Sequence, residues 1–196
     1  MTAMDQPGTE RVFVTGRGAV NMAACDQWGH MNVQFYLARA SDAQAHLAAR
    51  LGLGPRRLAR EQLALRPLTD RTLFKRELRG GDIHAIRSGI RAVHDDGTLD
   101  IASRMTNLGS GVESAAFETR LGLVGADDGA RPWPADVLAT AHALAGELPE
   151  MPSPPPMAAV LPPGPPLLER RLLTYRGSVE PWDCDADGVA PPRAHI

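Results

Sequence analysis

Apolar residues recur along residues 33–51 at helical spacing. Val33, Tyr36 with Leu37, Ala40, Ala43 beside Gln44, Leu47 and Leu51 fall on one stripe, the i, i+3/i+4, i+7 pattern of an amphipathic helix. Asn32 stands just ahead of it as an N-cap, and Gly52, Gly54 and Pro55 follow as stop signals. Before the helix, residues 11–22 alternate loosely around Val12, Val14 and Val20 and predict a strand.

After the helix the period changes. Residues 56–62 suit a short helix, and residues 63–78 read as extended, with Pro67 near the middle marking an edge, bulge or bend. Gly80-Gly81-Asp82 predicts a turn. In residues 83–94, Ile86, Ser88, Ile90 and Ala92 line one face while Arg87 and Arg91 point the other way. Asp95-Asp96-Gly97 supplies a hairpin turn, and Leu99, Ile101, Ser103 and Met105 line one face of the next strand. A turn at residues 107–111 leads to Ala115, Phe117, Thr119, Leu121 and Leu123, again alternating. One strand, one long helix and four strands with short turns predict an antiparallel sheet with a segregated helix, the α+β class.

Beyond Val124 the character shifts. Residues 125–134 are loop-like, and residues 135–148 suit a modest helix. Residues 151–166 are so rich in Pro that they predict a semi-rigid linker. An internal repeat follows. Arg176-Gly177-Ser178-Val179 matches Arg17-Gly18-Ala19-Val20, and at the same offset Cys184-Asp185 matches Cys25-Asp26 and Gly188 matches Gly29. The predicted organisation is a domain at 11–124, a linker at 125–166 and the start of a second, incomplete unit at 167–196.

Composition narrows the function classes. The 196 residues carry 43% hydrophobic residues and a formal net charge of −2, which makes no electrostatic case for nucleic acid or an anionic membrane. Cys25 and Cys184 lack any CxxC pattern, so no zinc site is expected, and two lone thiols suit a reducing compartment. The first ten residues are polar and no run of eighteen apolar residues occurs. A soluble, cytoplasmic protein is expected.

The chemistry concentrates between strand and helix, in Cys25-Asp26-Gln27-Trp28-Gly29-His30-Met31-Asn32-Val33-Gln34-Phe35-Tyr36. A carboxylate, an imidazole and an amide lie within seven residues, close to the positive end of a helix. The same residue types also serve as turn and cap residues. Asp-x-x-Gly-His-Met-Asn-x-x-x-Tyr after a strand resembles the signature of hotdog-fold acyl-CoA thioesterases of the 4-hydroxybenzoyl-CoA thioesterase type. It is also similar to the plant acyl-ACP thioesterase loop, although Trp28 stands where that loop has an Asn.

The resemblance implies a hotdog fold, an antiparallel sheet wrapped around one long helix, and hydrolysis of an acyl-CoA or acyl-ACP thioester without a cofactor or metal. Asp26 would be the general base or the nucleophile, with His30 and Asn32 orienting it. Gly29 and Tyr36 would belong to the substrate site, and Arg87 and Arg91 could meet CoA phosphates. A homodimer or higher oligomer is expected, because hotdog units pair. The repeat at 167–196 would open a second hotdog unit, as in a double-hotdog protein. There His30 is answered by Val189 and Asn32 by Pro191, so catalysis is not carried over to Asp185. The alternative is a non-catalytic acyl-CoA-binding or assembly module of the same fold.

Overall fold

The computed structural model describes residues 11–146. The remaining linker residues and the predicted second unit lie outside them. The order is β1 (Val12–Ala19), α1 (Val33–Arg50), α2 (Pro55–Glu61), β2 (Leu63–Phe74), β3 (Ile83–Val93), β4 (Leu99–Asn107), β5 (Glu113–Gly125), β6 (Ala130–Arg131) and α3 (Ala135–Leu144). The strands form one antiparallel sheet in the order β1-β3-β4-β5-β2, with the two-residue β6 paired to β5. This is the expected α+β hotdog arrangement, a sheet with one long helix against it.

The long helix starts and stops where its sequence signals place it. Asn32 caps it through its side chain, which accepts the Gln34 N–H at 3.2 Å. After Leu51 the chain turns at Gly52, whose φ of +91° suits only glycine. Ala40, Ala43 and Ala48 are buried on the sheet-facing side, and such small side chains let helix and sheet approach closely. Leu47 and Leu51 join Phe13, Ile90, Leu99 and Leu121 in one half of the core. Tyr36, Leu78, Ile86, Met105 and Phe117 form the other half.

The Pro67 signal is realised as a register shift between Pro67 and Thr69 on β2, which is an edge strand. There a missing N–H disturbs no central ladder. Two expectations need correction. Ala92 does not continue the row of Ile86, Ser88 and Ile90. A register shift falls between Ile90 and Ala92, and Ala92 lies half-buried opposite Asp100. The core also does not end at Val124. Trp133, Val137 and Ala141 are buried in the same cluster as Ile90 and Leu121, and α3 packs on β3. Arg57 of α2 ties α3 down through both oxygens of Asp136, at 2.6 and 3.0 Å.

Two features of the packing create the site. α1 lies over β1, β3 and β4, so a groove stays open between the helix and edge strand β2. The chain between β1 and α1 folds back over one end of that groove. Among the described residues no helix is long and apolar enough to cross a membrane.

Candidate active site

The strand-to-helix loop is a tight turn closed first by its own backbone. Asp26 N–H donates to His30 O at 2.8 Å, and Gly29 N–H donates to Asp26 O at 3.0 Å. Gly29 closes the turn at φ +79°, a conformation that costs other residues free energy. The Asp26 side chain reinforces the turn. Its Oδ1 accepts the N–H groups of Trp28 at 2.9 Å and His30 at 3.0 Å. The capping role is therefore real, but it occupies one oxygen. Among the described residues Oδ2 has no hydrogen-bond partner.

Those hydrogen bonds also set the charge of Asp26. The His30 N–H, with the Trp28 N–H and the nearby His30 ring, holds the carboxyl below its ordinary value of 3.8, against a partial burial that pushes it up. The group is a carboxylate at neutral pH.

The loop is pinned to the segment after β2. Met31 N–H donates to Leu78 O at 2.8 Å, Gly80 N–H to Gly29 O at 3.1 Å, and His30 pairs with Arg79 in an isolated bridge. The Tyr36 hydroxyl accepts the Leu78 N–H at 2.7 Å, and its ring meets the Phe74 ring edge-on at 5.4 Å. Burial pushes the Tyr36 phenol up, so it stays neutral. The His30 ring lies with Nδ1 3.4 Å from Glu77 Oε2.

These residues enclose a cavity of about 730 Å³ lined by Asp26, His30, Asn32, Val33, Tyr36 and Phe74, with Lys75, Arg76, Glu77 and Arg79 around them. At its edge sits the first turn of α1. Its Gln34 N–H goes to the Asn32 side chain and its Phe35 N–H to Asn32 O. The Val33 N–H has no acceptor among the described residues, and Val33 is exposed to the cavity. A second hollow of about 310 Å³ shares Val33 and Phe74 as walls and runs on along the helix.

Asp26, His30, Asn32 and Tyr36 thus converge on one cavity, while Gly29 shapes the turn behind it. Arg87 and Arg91 do not reach it. They lie on the outer face of β3, where Arg91 pairs with Glu118, which also binds Arg71 at 3.2 Å. The cations at the cavity are Lys75, Arg76 and Arg79 instead, and Lys75 is paired with Glu113 at 2.7 Å. Sequence reasoning missed Arg76 and Arg79. The only signal was the density of charge in Lys75-Arg76-Glu77-Leu78-Arg79, since the pairing that brings the segment to the loop is long-range. Among the described residues no three His, Cys, Asp or Glu side chains gather to hold a metal ion.

Comparison with known proteins agrees with this fold. Residues 20–142, more than half of the chain, match the family model described as the thioesterase-like superfamily. No curated protein matches the sequence. Among solved structures, the chain is similar to the hypothetical protein SAV2348 from Staphylococcus aureus in complex with CoA, with a TM-score of 0.64 at 16% identity over 81% of this chain and 99% of that one. It is also similar to Slr0204, a 1,4-dihydroxy-2-naphthoyl-CoA thioesterase from Synechocystis, with a TM-score of 0.58 at 14% identity over 66% and 95%. An oleoyl thioesterase (putative) from Lactobacillus plantarum aligns with a TM-score of 0.67 at 11% identity, over 94% of this chain and 68% of that one. At such identities the likeness is one of fold.

Proposed function

Since the chain belongs to the thioesterase-like superfamily, we propose that it hydrolyses an acyl-CoA thioester in the cavity beside Asp26. The observation that carries this reading is that one cavity is lined both by Asp26, whose Oδ2 has no hydrogen-bond partner among the described residues, and by Val33, whose N–H has no acceptor among them. Thioester hydrolysis needs a base or nucleophile and a donor for the developing oxyanion. A helix N-terminus offers that donor without reorganisation, and its dipole adds to it.

In the proposed reaction the thioester carbonyl oxygen points at the Val33 N–H. Asp26 removes a proton from water as the water attacks the carbonyl carbon. Collapse of the tetrahedral intermediate breaks the carbon–sulfur bond, and the thiolate leaves with that proton. Attack by Asp26 itself, giving an anhydride that water then opens, uses the same placement. His30, held against Glu77, and the Asn32 cap fix the loop around the carboxylate. Arg76 and Arg79 suit the phosphates of CoA, or the phosphopantetheine phosphate of an acyl carrier protein.

A second reading, an acyl-CoA-binding module without turnover, is favoured by the low basicity of Asp26. A carboxylate stabilised by two N–H groups is a weaker base. Release of free thiol from a panel of acyl-CoA thioesters, followed with a thiol reagent, separates the two. Turnover supports the hydrolase, and tight binding with no thiol released supports the module. We further propose that the chain forms a homodimer.

A further inference from the structure

The hollow beyond the Asp26 cavity does not end in hydrocarbon. Near its entrance Val33, Leu37 and Phe74 make it apolar. Along α1 the wall continues through Ala40 and Ser41 to Gln44, on the order of 16 Å from Val33 at 1.5 Å per residue. Along β2 the same face carries Phe74, then Thr72, then Asp70, about 13 Å from Phe74 at a strand's rise. Helix and strand therefore both place polar residues at the end away from Asp26, and Thr119 of β5 joins them.

The three side chains form one chain of hydrogen bonds. Gln44 Nε2 donates to Thr119 Oγ1 at 2.8 Å, and the Thr119 hydroxyl donates to Asp70 Oδ1 at 2.5 Å. Gln44 and Thr119 are 7% and 4% exposed, whereas Asp70 is open to solvent. Polar groups in such a wall are costly to bury and give nothing to a plain alkyl chain. Their remaining capacity has a definite sense. The Thr119 proton is spent on Asp70, and among the described residues Gln44 Oε1 and Asp70 Oδ2 have no other donor. Both are acceptors, and Asp70 brings negative charge.

We propose that Gln44, Thr119 and Asp70 form a distal recognition site that selects an acyl group whose far end carries a hydrogen-bond donor, a hydroxyl or an amine. The site disfavours a terminal carboxylate, which would face Asp70. The proposal rests on the hydrolase reading only in placing the thioester end at Asp26.

The test uses acyl-CoA pairs of several lengths that differ only by a distal hydroxyl, amine, hydrogen or carboxylate, and reads the ratio of kcat/KM within each pair. At one length the wild-type protein prefers the hydroxyl or amine over hydrogen by at least about tenfold, the scale of one hydrogen bond to a charged group. Thr119→Val and Gln44→Leu bring that ratio towards one, and Asp70→Asn relieves the rejection of the carboxylate. Asp70 is exposed, so its variant keeps the test open if a buried substitution does not fold. The same pairs made as unreactive thioethers are titrated by calorimetry. If no thioester is hydrolysed, the hydrolase reading fails, while a tenfold affinity preference lost in the variants still upholds the distal site. A wild type that shows no preference in either assay, or variants that keep it, overturns the proposal.

Discussion

Asp26 Oδ1 accepts the His30 backbone N–H at 3.0 Å, closing the turn from which both side chains reach the cavity. Under the proposed reading the carboxylate is divided between two tasks, with Oδ1 building the turn and Oδ2 serving the chemistry. Asp26→Asn separates them, since an amide oxygen still accepts both N–H groups. Under the hydrolase reading kcat falls by at least about 10², the scale of a side-chain base, while the melting temperature stays close to wild type. An Asn variant that turns over at the wild-type rate would show that Asp26 only caps. The pH dependence follows the same hydrogen bonds. They lower the Asp26 pKa, so its protonation limits kcat/KM only below the ordinary carboxylate value of 3.8.

The parts of the site legible in sequence were those encoded locally. Asp26, His30 and Asn32 fall within one turn and a cap, and Tyr36 follows one helical turn later, so the motif itself brings them together. Arg76 and Arg79 depend on the bridge between His30 and Arg79, a tertiary pairing that no local period reports. Alternation placed Arg87 and Arg91 opposite the core row, but it could not reveal that Glu118 would pair with Arg91 there. The buried role of α3 was hidden for a similar reason. Its Ala- and Leu-rich sequence reads only as a modest helix, and that Trp133 and Val137 join the core beside β3 is a tertiary fact.

Gly29 gives a clean measure of the turn's backbone. Its φ is +79°, and a Cβ added there would meet nothing within 4 Å. Gly29→Ala therefore carries a conformational penalty without a clash, about 1 kcal/mol. The shift in urea midpoint at unchanged slope reads it, and Gly29→Asn should lose less, because Asn tolerates this region better. Equal stability of all three proteins would mean that the turn relaxes.

Tyr36 joins helix to cavity wall through one atom. Removing its hydroxyl in Tyr36→Phe leaves the fully buried Leu78 N–H without its acceptor. The ring contact with Phe74 is kept. The expected destabilisation is about 1–3 kcal/mol, the cost of a buried unpaired donor, and chemical denaturation measures it. A loss well under this range would show that water takes the place of the hydroxyl.

The proposed homodimer can be tested on β2. This edge strand presents Leu68 and Phe74 at 51% and 46% exposure, and an apolar edge invites pairing with another copy. Sedimentation at micromolar concentration should show a dimer. Leu68→Lys, a charge on an open edge, should shift the equilibrium towards monomer. A wild-type monomer at these concentrations would count against the assembly, and a Leu68→Lys dimer would move the interface away from Leu68.

His84 should give the protein a pH dependence of stability separate from the site. Its side chain is 2% exposed on β3, with Nδ1 lacking a hydrogen-bond partner. Burial, with the positive charge of Arg39 nearby, lowers its pKa below the ordinary 6.5. The folded state therefore holds it neutral where the unfolded chain already binds a proton. The sign follows from linkage: stability rises with pH wherever the unfolded state binds more protons. His84 gives its full contribution above pH 6.5 and loses it as pH falls from 6.5 through the folded value. The carboxyls of Asp96 and Asp100 are also lowered, by Thr98 and by Arg120 respectively, so their contributions disappear only below 3.8. Melting temperatures measured across this range should fall first in the histidine window and again in strong acid. In His84→Gln the first fall should shrink and the second remain. If wild type and variant trace parallel curves between 3.8 and 6.5, His84 takes up its proton without unfolding pressure, and the buried neutral imidazole is not what sets the mild-acid stability.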